Sequence, residues 1–289
     1  MKRIVRQFTT ADGFKVEYSI VGQGEPILVM HGGHSNCHEE FGYKDLVSNG
    51  YSIITPSRPG YGKTAKELGL TIGAAGAAYA RLLDELQIAQ VHLLAISAGG
   101  PSGIHFASRF PQRVKSITLQ SAVAAQWLTP ADKTYKAAKL LFQPRTEAYV
   151  WGMMRLMNKL SPRFLLKSML PSFSTRPAGE QMKLFSEEDL EQFRLMVNRQ
   201  RSGHGFLLDL AQTSDDLTSV LAAVRCPALI MHSVHDASVP VEHARHAHRL
   251  IPGAQLCELD SWGHLIWLGK RAADVSQKLL AFLDALGGE

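Results

Sequence analysis

Cysteine is scarce in this chain of 289 residues, which has only Cys37, Cys226 and Cys257. An odd count with no two close in sequence excludes a disulfide framework as the source of stability. Cys226, just ahead of Pro227 at an expected strand start, reads as a core residue. No uninterrupted apolar stretch is long enough to span a bilayer. The basic residues Lys2, Arg3 and Arg6 are not followed by an apolar run, so neither a secretory signal nor a membrane insertion is expected, and the expected location is cytoplasmic. Dense basic blocks are missing too. Lys and Arg number 31 against 26 Asp and Glu, a formal net charge of +5 and a pI near 9.1. The cations are scattered among acids, which is a solubilising surface and not a nucleic-acid footprint. There is no internal repeat and no low-complexity tract. Of metal-binding signatures there is little: His243, His246 and His248 fall on an expected surface helix, without the His-Glu-x-x-His spacing and without a carboxylate or cysteine to complete a site. No metal and no cofactor are expected.

What is present is a β/α rhythm. Apolar residues make up 45% of the chain, enough for one large α/β domain carrying an insertion. Residues 3–21 read as two antiparallel strands around the turn Thr10-Ala11-Asp12-Gly13. After the turn Gln23-Gly24-Glu25-Pro26, Ile27 to Met30 is a buried strand ending at His31-Gly32-Gly33-His34. A helix is expected over 38–48, a strand over 51–55, a rigid loop from Pro56 to Gly62 and an amphipathic helix over 71–87. Strands follow at 91–96 and 114–120, with a helix from Pro101 to Phe110 between them. From Ser121 to about Ala223 strand-like runs vanish. Six of the nine methionines lie there, and five prolines cut the segment into several helices, one starting at the Ser186 cap with acids in its first turn. The rhythm resumes with a strand over 226–231, a helix near 241–250, a strand over 255–259 and a last helix over 265–286. Alternating strands and helices imply a mostly parallel sheet with right-handed crossovers, and the helical block lies over its C-terminal edge, where open α/β sheets place their sites.

The run Leu93-Leu94-Ala95-Ile96-Ser97-Ala98-Gly99-Gly100 is the most informative stretch. A strand runs straight into small residues and then into a helix. A serine at such a turn is pushed out of the sheet, and the residues two before and two after it must be small because the backbone doubles back. These are Ala95 and Gly99. The N–H of Ala98 opens the helix, where negative charge is stabilised.

This segment resembles the nucleophile elbow Gly-x-Ser-x-Gly of the α/β-hydrolase family, with Ala95 in the first glycine position. The resemblance covers nearly the whole chain. It implies a mostly parallel α/β-hydrolase sheet flanked by helices, with an all-helical cap: 1–122 and 224–289 would be the core and 123–223 the inserted cap. In that family the order is serine, acid, histidine. The acid is then Asp236, past a buried strand in His235-Asp236-Ala237-Ser238-Val239-Pro240, and the base is His264 in Ser261-Trp262-Gly263-His264, opening the last helix. Asp260 is a rival acid that ranks lower, and the strand over 114–120 ends in Gln120-Ser121-Ala122 and supplies none. The oxyanion hole needs two N–H donors aimed at one point. Ala98 gives one, and by the family's His-Gly loop Gly33 gives the other, with His34 as the neighbouring alternative, while His31 shapes the turn.

A serine nucleophile implies acyl transfer, and Ser97 argues against the dehalogenase and epoxide-hydrolase relatives, which carry aspartate at the elbow. The insertion is rich in Met, Phe and Trp, including Trp127, Trp151, Phe142 and Phe206, and no Arg cluster is evident. The expectation is therefore a serine esterase acting on a small ester with an apolar acyl or aromatic part, as monomer or homodimer. The same triad also serves carbon–carbon bond hydrolases, lactonases, thioesterases and perhydrolases, and the fold can act as a low-turnover ligand-binding receptor. His204, in Ser202-Gly203-His204-Gly205, reads as a loop residue of the cap.

Overall fold

The computed structural model describes residues 2–40 and 42–287. Met1, Phe41, Gly288 and Glu289 lie outside the described residues, and with them position 41 of the helix expected over 38–48. Eight strands form one sheet: β1 (Arg3–Thr9), β2 (Lys15–Gly22), β3 (Glu25–Met30), β4 (Tyr51–Pro56), β5 (Val91–Ile96), β6 (Val114–Gln120), β7 (Ala228–Ser233) and β8 (Gln255–Leu259). Their order is β1-β2-β4-β3-β5-β6-β7-β8. β1 and β2 form the antiparallel hairpin, β2 pairs antiparallel with β4, and every later neighbour is parallel. Three helices connect the first strands, α1 (Tyr43–Ser48), α2 (Ile72–Glu85) and α3 (Gly100–Arg109). Seven more lie between β6 and β7: α4 (Lys133–Leu141), α5 (Glu147–Leu160), α6 (Pro162–Phe173), α7 (Ala178–Gln181), α8 (Glu187–Arg199), α9 (Gly205–Gln212) and α10 (Thr218–Ala222). α11 (Glu242–Leu250) and α12 (Ala272–Asp284) complete the chain. Among the described residues no helix is long and apolar enough to cross a membrane.

The central strands are apolar on both faces because helices cover both. All six residues of β5 are buried. Leu93 and Ala95 join one core cluster while Leu94 and Ile96 join the other, the period of two that a pleated strand imposes. β7 divides the same way, Ala228 and Ile230 against Leu229 and Met231. The first cluster takes Leu82 and Leu83 of α2, Ile104 and Phe106 of α3, Leu221 of α10 and Ala244 of α11. The second takes Leu46 of α1 and Val275, Leu279 and Phe282 of α12. A third cluster belongs to the insertion: Leu165, Leu166 and Leu170 of α6 and Leu190, Phe193 and Val197 of α8 close over Trp262, Leu265 and Leu268. The insertion thus shares its core with the loop that carries His264. The start of α8 is a full capping box, Ser186 Oγ accepting from Asp189 N–H at 3.1 Å and Asp189 accepting from Ser186 N–H at 2.9 Å.

Three local expectations are corrected. The helix expected over 38–48 is only α1, from Tyr43. Asn36 Oδ1 accepts the His38 N–H at 2.9 Å, holding a side-chain turn in competition with helix, and Gly42 sits at φ 74°. The last helix begins at Ala272 and not near 265. Gly269 takes φ 85°, Trp262 Nε1–H donates to Leu268 O at 2.8 Å, and Gly269 N–H donates to Asp189, so 261–271 is a packed loop. His243 is not a surface histidine: it is buried on α11 and its Nδ1 accepts the N–H groups of Ala124 and Ala125 at 3.1 Å each. Burial pushes its imidazole down to about 4, so it stays neutral and can accept both.

Candidate active site

Ser97 stands between the end of β5 and the start of α3 with φ 51°, a left-handed conformation that a serine adopts only when its surroundings enforce it. Ser97 O accepts the N–H of Val123 at 2.9 Å, which ties the elbow to the exit of β6. The small residues around it are required by contact. A Cβ on Gly99 would lie 2.2 Å from Met30 O, and one on Gly100 would lie 2.1 Å from Val123 O. The departure from the family pattern at Ala95 has its own explanation. A Cβ on Gly103, one turn into α3, would lie 2.5 Å from the Ala95 methyl. The methyl therefore occupies space that Gly103 leaves open. Gly103→Ala is expected to cost about 1–3 kcal/mol by overpacking, and Ala95→Gly should recover part of that loss in the double variant. Urea unfolding of the two single variants and the pair checks this, since non-additivity is the signature of residues in contact.

Three strand ends meet at this serine. His264 Nε2 lies 2.9 Å from Ser97 Oγ, and His264 Nδ1 lies 2.7 Å from Asp236 Oδ2. A carboxylate can only accept, so Nδ1 carries the proton and Nε2 is the lone pair facing the hydroxyl. Asp236 is saturated with donors. Its Oδ1 accepts the N–H groups of Ser238 and Val239, both at 2.8 Å. Its Oδ2 is also 3.2 Å from His232 Nε2, whose proton is fixed by Val239 O at 2.8 Å. Burial by itself would raise the Asp236 carboxyl. The adjacent His264 and the hydrogen bonds from His232 and His264 outweigh burial and hold the group well below the usual carboxylate range. Asp260 faces outward instead, paired with Arg176 and with His235 Nε2 at 3.0 Å.

The loop after β3 lies against the elbow. A Cβ on Gly32 would be 3.2 Å from Ser97 Cβ, and one on Gly33 would be 3.7 Å from Ala98 Cβ, so both backbones approach the elbow closely. His31 is buried and shapes this loop: its Nε2 accepts the Arg58 N–H at 2.9 Å and its Nδ1 lies 2.8 Å from Gly32 O. Burial and then Arg58 push its imidazole well down, which keeps it a neutral acceptor. Arg58 in turn donates from Nε to His31 O at 2.7 Å and makes a bidentate pair with Asp209 of α9 at 2.6 and 2.7 Å. Tyr61 O–H donates to the same carboxylate at 2.6 Å. His34, at φ 60°, stacks on Phe206 with ring centres 4.0 Å apart, and its Nδ1 is 2.8 Å from Ser202 Oγ. Burial pushes the His34 imidazole down to about 3.

The inserted helices also grip the acid and histidine loops. Phe173 O accepts the N–H groups of His264 at 2.9 Å and Ala237 at 3.3 Å, Ser238 Oγ–H donates to Ser172 O at 2.6 Å, and Ser174 bridges Asp236 in the manner of a short antiparallel pair. Gly263 is needed for this approach, since a Cβ there would lie 2.3 Å from Phe173 O. Ser121 Oγ–H holds His264 O at 2.7 Å. None of Arg58, Asp209 or Ser121 stood out in the sequence, because each acts through a partner far along the chain; His232 did not stand out either, although it reaches Asp236 only four residues on. His204 is exposed, on the outside of its loop.

Between sheet edge and insertion lies a cavity of about 550 Å³ that contains Ser97, Ala98, Gly33 and His264. Trp127, Phe142, Trp151, Met154, Phe173 and Phe206 make most of its wall apolar. A second lobe of about 510 Å³ adjoins it at Ala98, Val123 and Phe206. Glu17, Cys37 and His38 bring possible ligand atoms within 4.8 Å of one another. Their chemistry is poor for a metal: Glu17 Oε2 already accepts from Ser57 Oγ and Lys63 N–H, and burial pushes the Cys37 thiol up to about 12.

A family model described as the α/β-hydrolase fold matches residues 25–270. An uncharacterized hydrolase, YcgS, from Bacillus subtilis is 55% identical over 285 residues, covering 99% of this chain and 100% of that protein. The 2-hydroxy-6-oxo-6-phenylhexa-2,4-dienoate hydrolase of Burkholderia cepacia is 24% identical, covering 92% of this chain and 90% of that one. Among solved structures, an α/β-hydrolase fold protein from Nakamurella multipartita superposes with a TM-score of 0.83 at 27% identity, covering 99% of this chain and 100% of the other. Family model, near-full-length relative and sheet topology agree, and the chain belongs to the α/β-hydrolase fold family.

Proposed function

We propose that this protein is a serine hydrolase that cleaves a carboxylic ester with apolar arms through an acyl-enzyme. The observation that carries the reading is the Ser97–His264–Asp236 relay, with both hydrogen bonds formed and opening into a largely apolar cavity. Ser97 Oγ attacks the ester carbonyl while His264 Nε2 takes its proton. The oxyanion is held by the N–H groups of Ala98 and Gly33. Collapse expels the alcohol, which receives the proton from His264. Water then attacks the acyl group with His264 again as base, the carboxylic acid leaves, and Ser97 regains its proton.

The apolar wall and the adjoining lobe suit an ester, whose carbonyl separates two arms. The carbon–carbon bond hydrolase reading has support in the Burkholderia relative, whose name gives its substrate as a dienoate and thus a carboxylate. Among the described residues lining the catalytic cavity there is no Lys or Arg to pair such a group. A panel of p-nitrophenyl esters from acetate to decanoate, run beside 2-hydroxy-6-oxodienoates, tests the choice. Turnover of the esters with an optimum at medium or longer apolar chains supports this reading. Turnover of the dienoates alone overturns it.

The relay also sets a pH response. Protonated His264 cannot accept the Ser97 proton, so kcat/KM falls on the acid side. Asp236, held below the ordinary carboxylate range, stays charged through that limb. The expected profile has a single acid limb of slope one, and a slope of two would contradict these roles.

A further inference from the structure

Thirteen large apolar side chains are exposed among the described residues, and seven of them fall on three consecutive helices of the insertion. On α5 they are Tyr149 at 80% exposure, Met153 at 58%, Leu156 at 56% and Leu160 at 74%. A spacing of four, three and four residues puts all of them on one stripe. Leu140 and Leu141, at the end of α4, and Phe164, in the first turn of α6, are exposed as well. Thr146 Oγ1–H donates to Leu141 O at 2.9 Å and ties the end of α4 to the start of α5. α6 follows after Ser161 and packs against α5. The other face of α5 is already used: Trp151 and Asn158 are buried, and Trp151 and Met154 line the catalytic cavity. A helix that is apolar on both sides is normally covered on both. Single exposed apolar residues need no explanation, but a stripe of them marks an interaction surface.

The charges of the same helices select the partner. Over the whole chain the cations look scattered. Residues 133–179, however, hold nine Lys and Arg and a single acid, Glu147, a formal charge of +8 against −3 for the remainder of the chain. That acid is buried and committed to Arg201, with 2.7 Å between Arg201 Nη2 and Glu147 Oε1. Lys133, Lys139, Arg145, Lys159 and Lys167 are exposed and have no acid partner among the described residues. A second copy of the chain on this face would set cations against cations. A bilayer with anionic headgroups supplies both complements at once: acyl chains for the Leu, Met, Tyr and Phe side chains, and negative charge for the Lys and Arg around them. We propose that α4, α5 and α6 form a peripheral membrane-binding face that seats on anionic lipid, with the α5 stripe in the headgroup boundary. The helices lie on the bilayer and none crosses it. The catalytic cavity then sits behind the bound helix, on the side of α5 that carries Trp151 and Met154.

The test is co-sedimentation of the full chain with sucrose-loaded vesicles, made of phosphatidylcholine alone or with an equal part of phosphatidylglycerol, in low and in high salt. Partition onto the anionic vesicles should exceed that onto the neutral ones by about tenfold or more, and it should fall steeply as salt screens the headgroups. The triple variant Met153→Ser, Leu156→Ser, Leu160→Ser should lose binding to anionic vesicles, because the stripe no longer enters the boundary. The pair Lys159→Gln, Lys167→Gln should weaken binding to anionic vesicles by about tenfold or more while leaving the apolar stripe intact. All five positions are exposed, so the fold should be kept, and circular dichroism during thermal unfolding checks it. The lysine pair decides the matter by itself if the triple variant is unstable. Absence of binding to anionic vesicles overturns the proposal. So does equal binding to neutral and anionic vesicles, and so does binding that survives both sets of substitutions. Sedimentation velocity without lipid examines the competing occupant: a dimer that the serine substitutions dissolve, in a protein that ignores vesicles, would assign the stripe to a second copy and overturn the lipid assignment. Ser97 takes no part in these measurements, so the membrane face and the hydrolase reading stand or fall separately.

Discussion

Ser97→Ala is expected to abolish turnover of p-nitrophenyl esters, a fall of about six orders of magnitude in kcat if the serine acts with its histidine as a unit. Binding should persist, because the variant removes one oxygen from a cavity whose wall is mostly apolar. The fold should also persist. Alanine at φ 51° meets the same steric demand as serine, and the carbonyl at this position keeps its bond from Val123 N–H. The informative pair of measurements is therefore kcat, which collapses, and the Tm and ligand Kd, which stay near the parent. A variant that retains a tenth of the parent activity would mean that Ser97 is not the nucleophile.

Asp236→Asn carries the second large effect, about four orders of magnitude in kcat. The reason lies in the four donors around this carboxylate. The N–H groups of Ser238 and Val239 hold one oxygen and would keep the asparagine carbonyl there. The amide NH₂ would then face His264 Nδ1 and His232 Nε2–H. His264 would answer by moving its proton to Nε2, which leaves no lone pair for the Ser97 hydroxyl. His232 cannot adapt, since Val239 O fixes its proton. The variant should accordingly lose stability as well as activity, because two N–H donors are set against each other in a buried place. Steady-state kinetics together with thermal unfolding read both consequences. Unchanged kcat would contradict the assignment of Asp236 as the orienting acid.

The parts of the fold that the sequence made legible are those written in local pattern. Strands β5, β6 and β8 were bounded to the residue, β5 as a buried run and β6 and β8 as short segments that mix apolar and polar residues, each closed by turn residues. The three groups of the relay were legible for a related reason: each sits just past such a run, where the backbone must turn. The Ser186 capping box was legible because its partner lies three residues away. What escaped is written in contacts between distant segments. Residues 265–271 were expected to open the last helix, yet Leu265 and Leu268, with Trp262 just before them, serve the core of the insertion and not a helix face. His243 looked exposed on a polar helix, yet its ring supports the chain where β6 leaves the sheet. The Arg58–Asp209 pair, which braces the loop of Gly32 and Gly33 against α9, joins residues 151 apart and leaves no mark on either neighbourhood. His34 was legible only as an alternative backbone donor, and its role as an aromatic stopper between Phe206, Phe142 and Trp151 appears once the insertion is in place.

Covalent labelling tests the central claim most directly. The protein is treated with a fluorophosphonate, its intact mass is measured and the adduct is mapped by peptide sequencing, with ester hydrolysis followed in the same sample. The account predicts one adduct per chain, located on Ser97, formed in step with the loss of activity, and greatly slowed in His264→Ala, where no base takes up the serine proton. An adduct on any other residue, or full activity in protein whose Ser97 is modified, would contradict it.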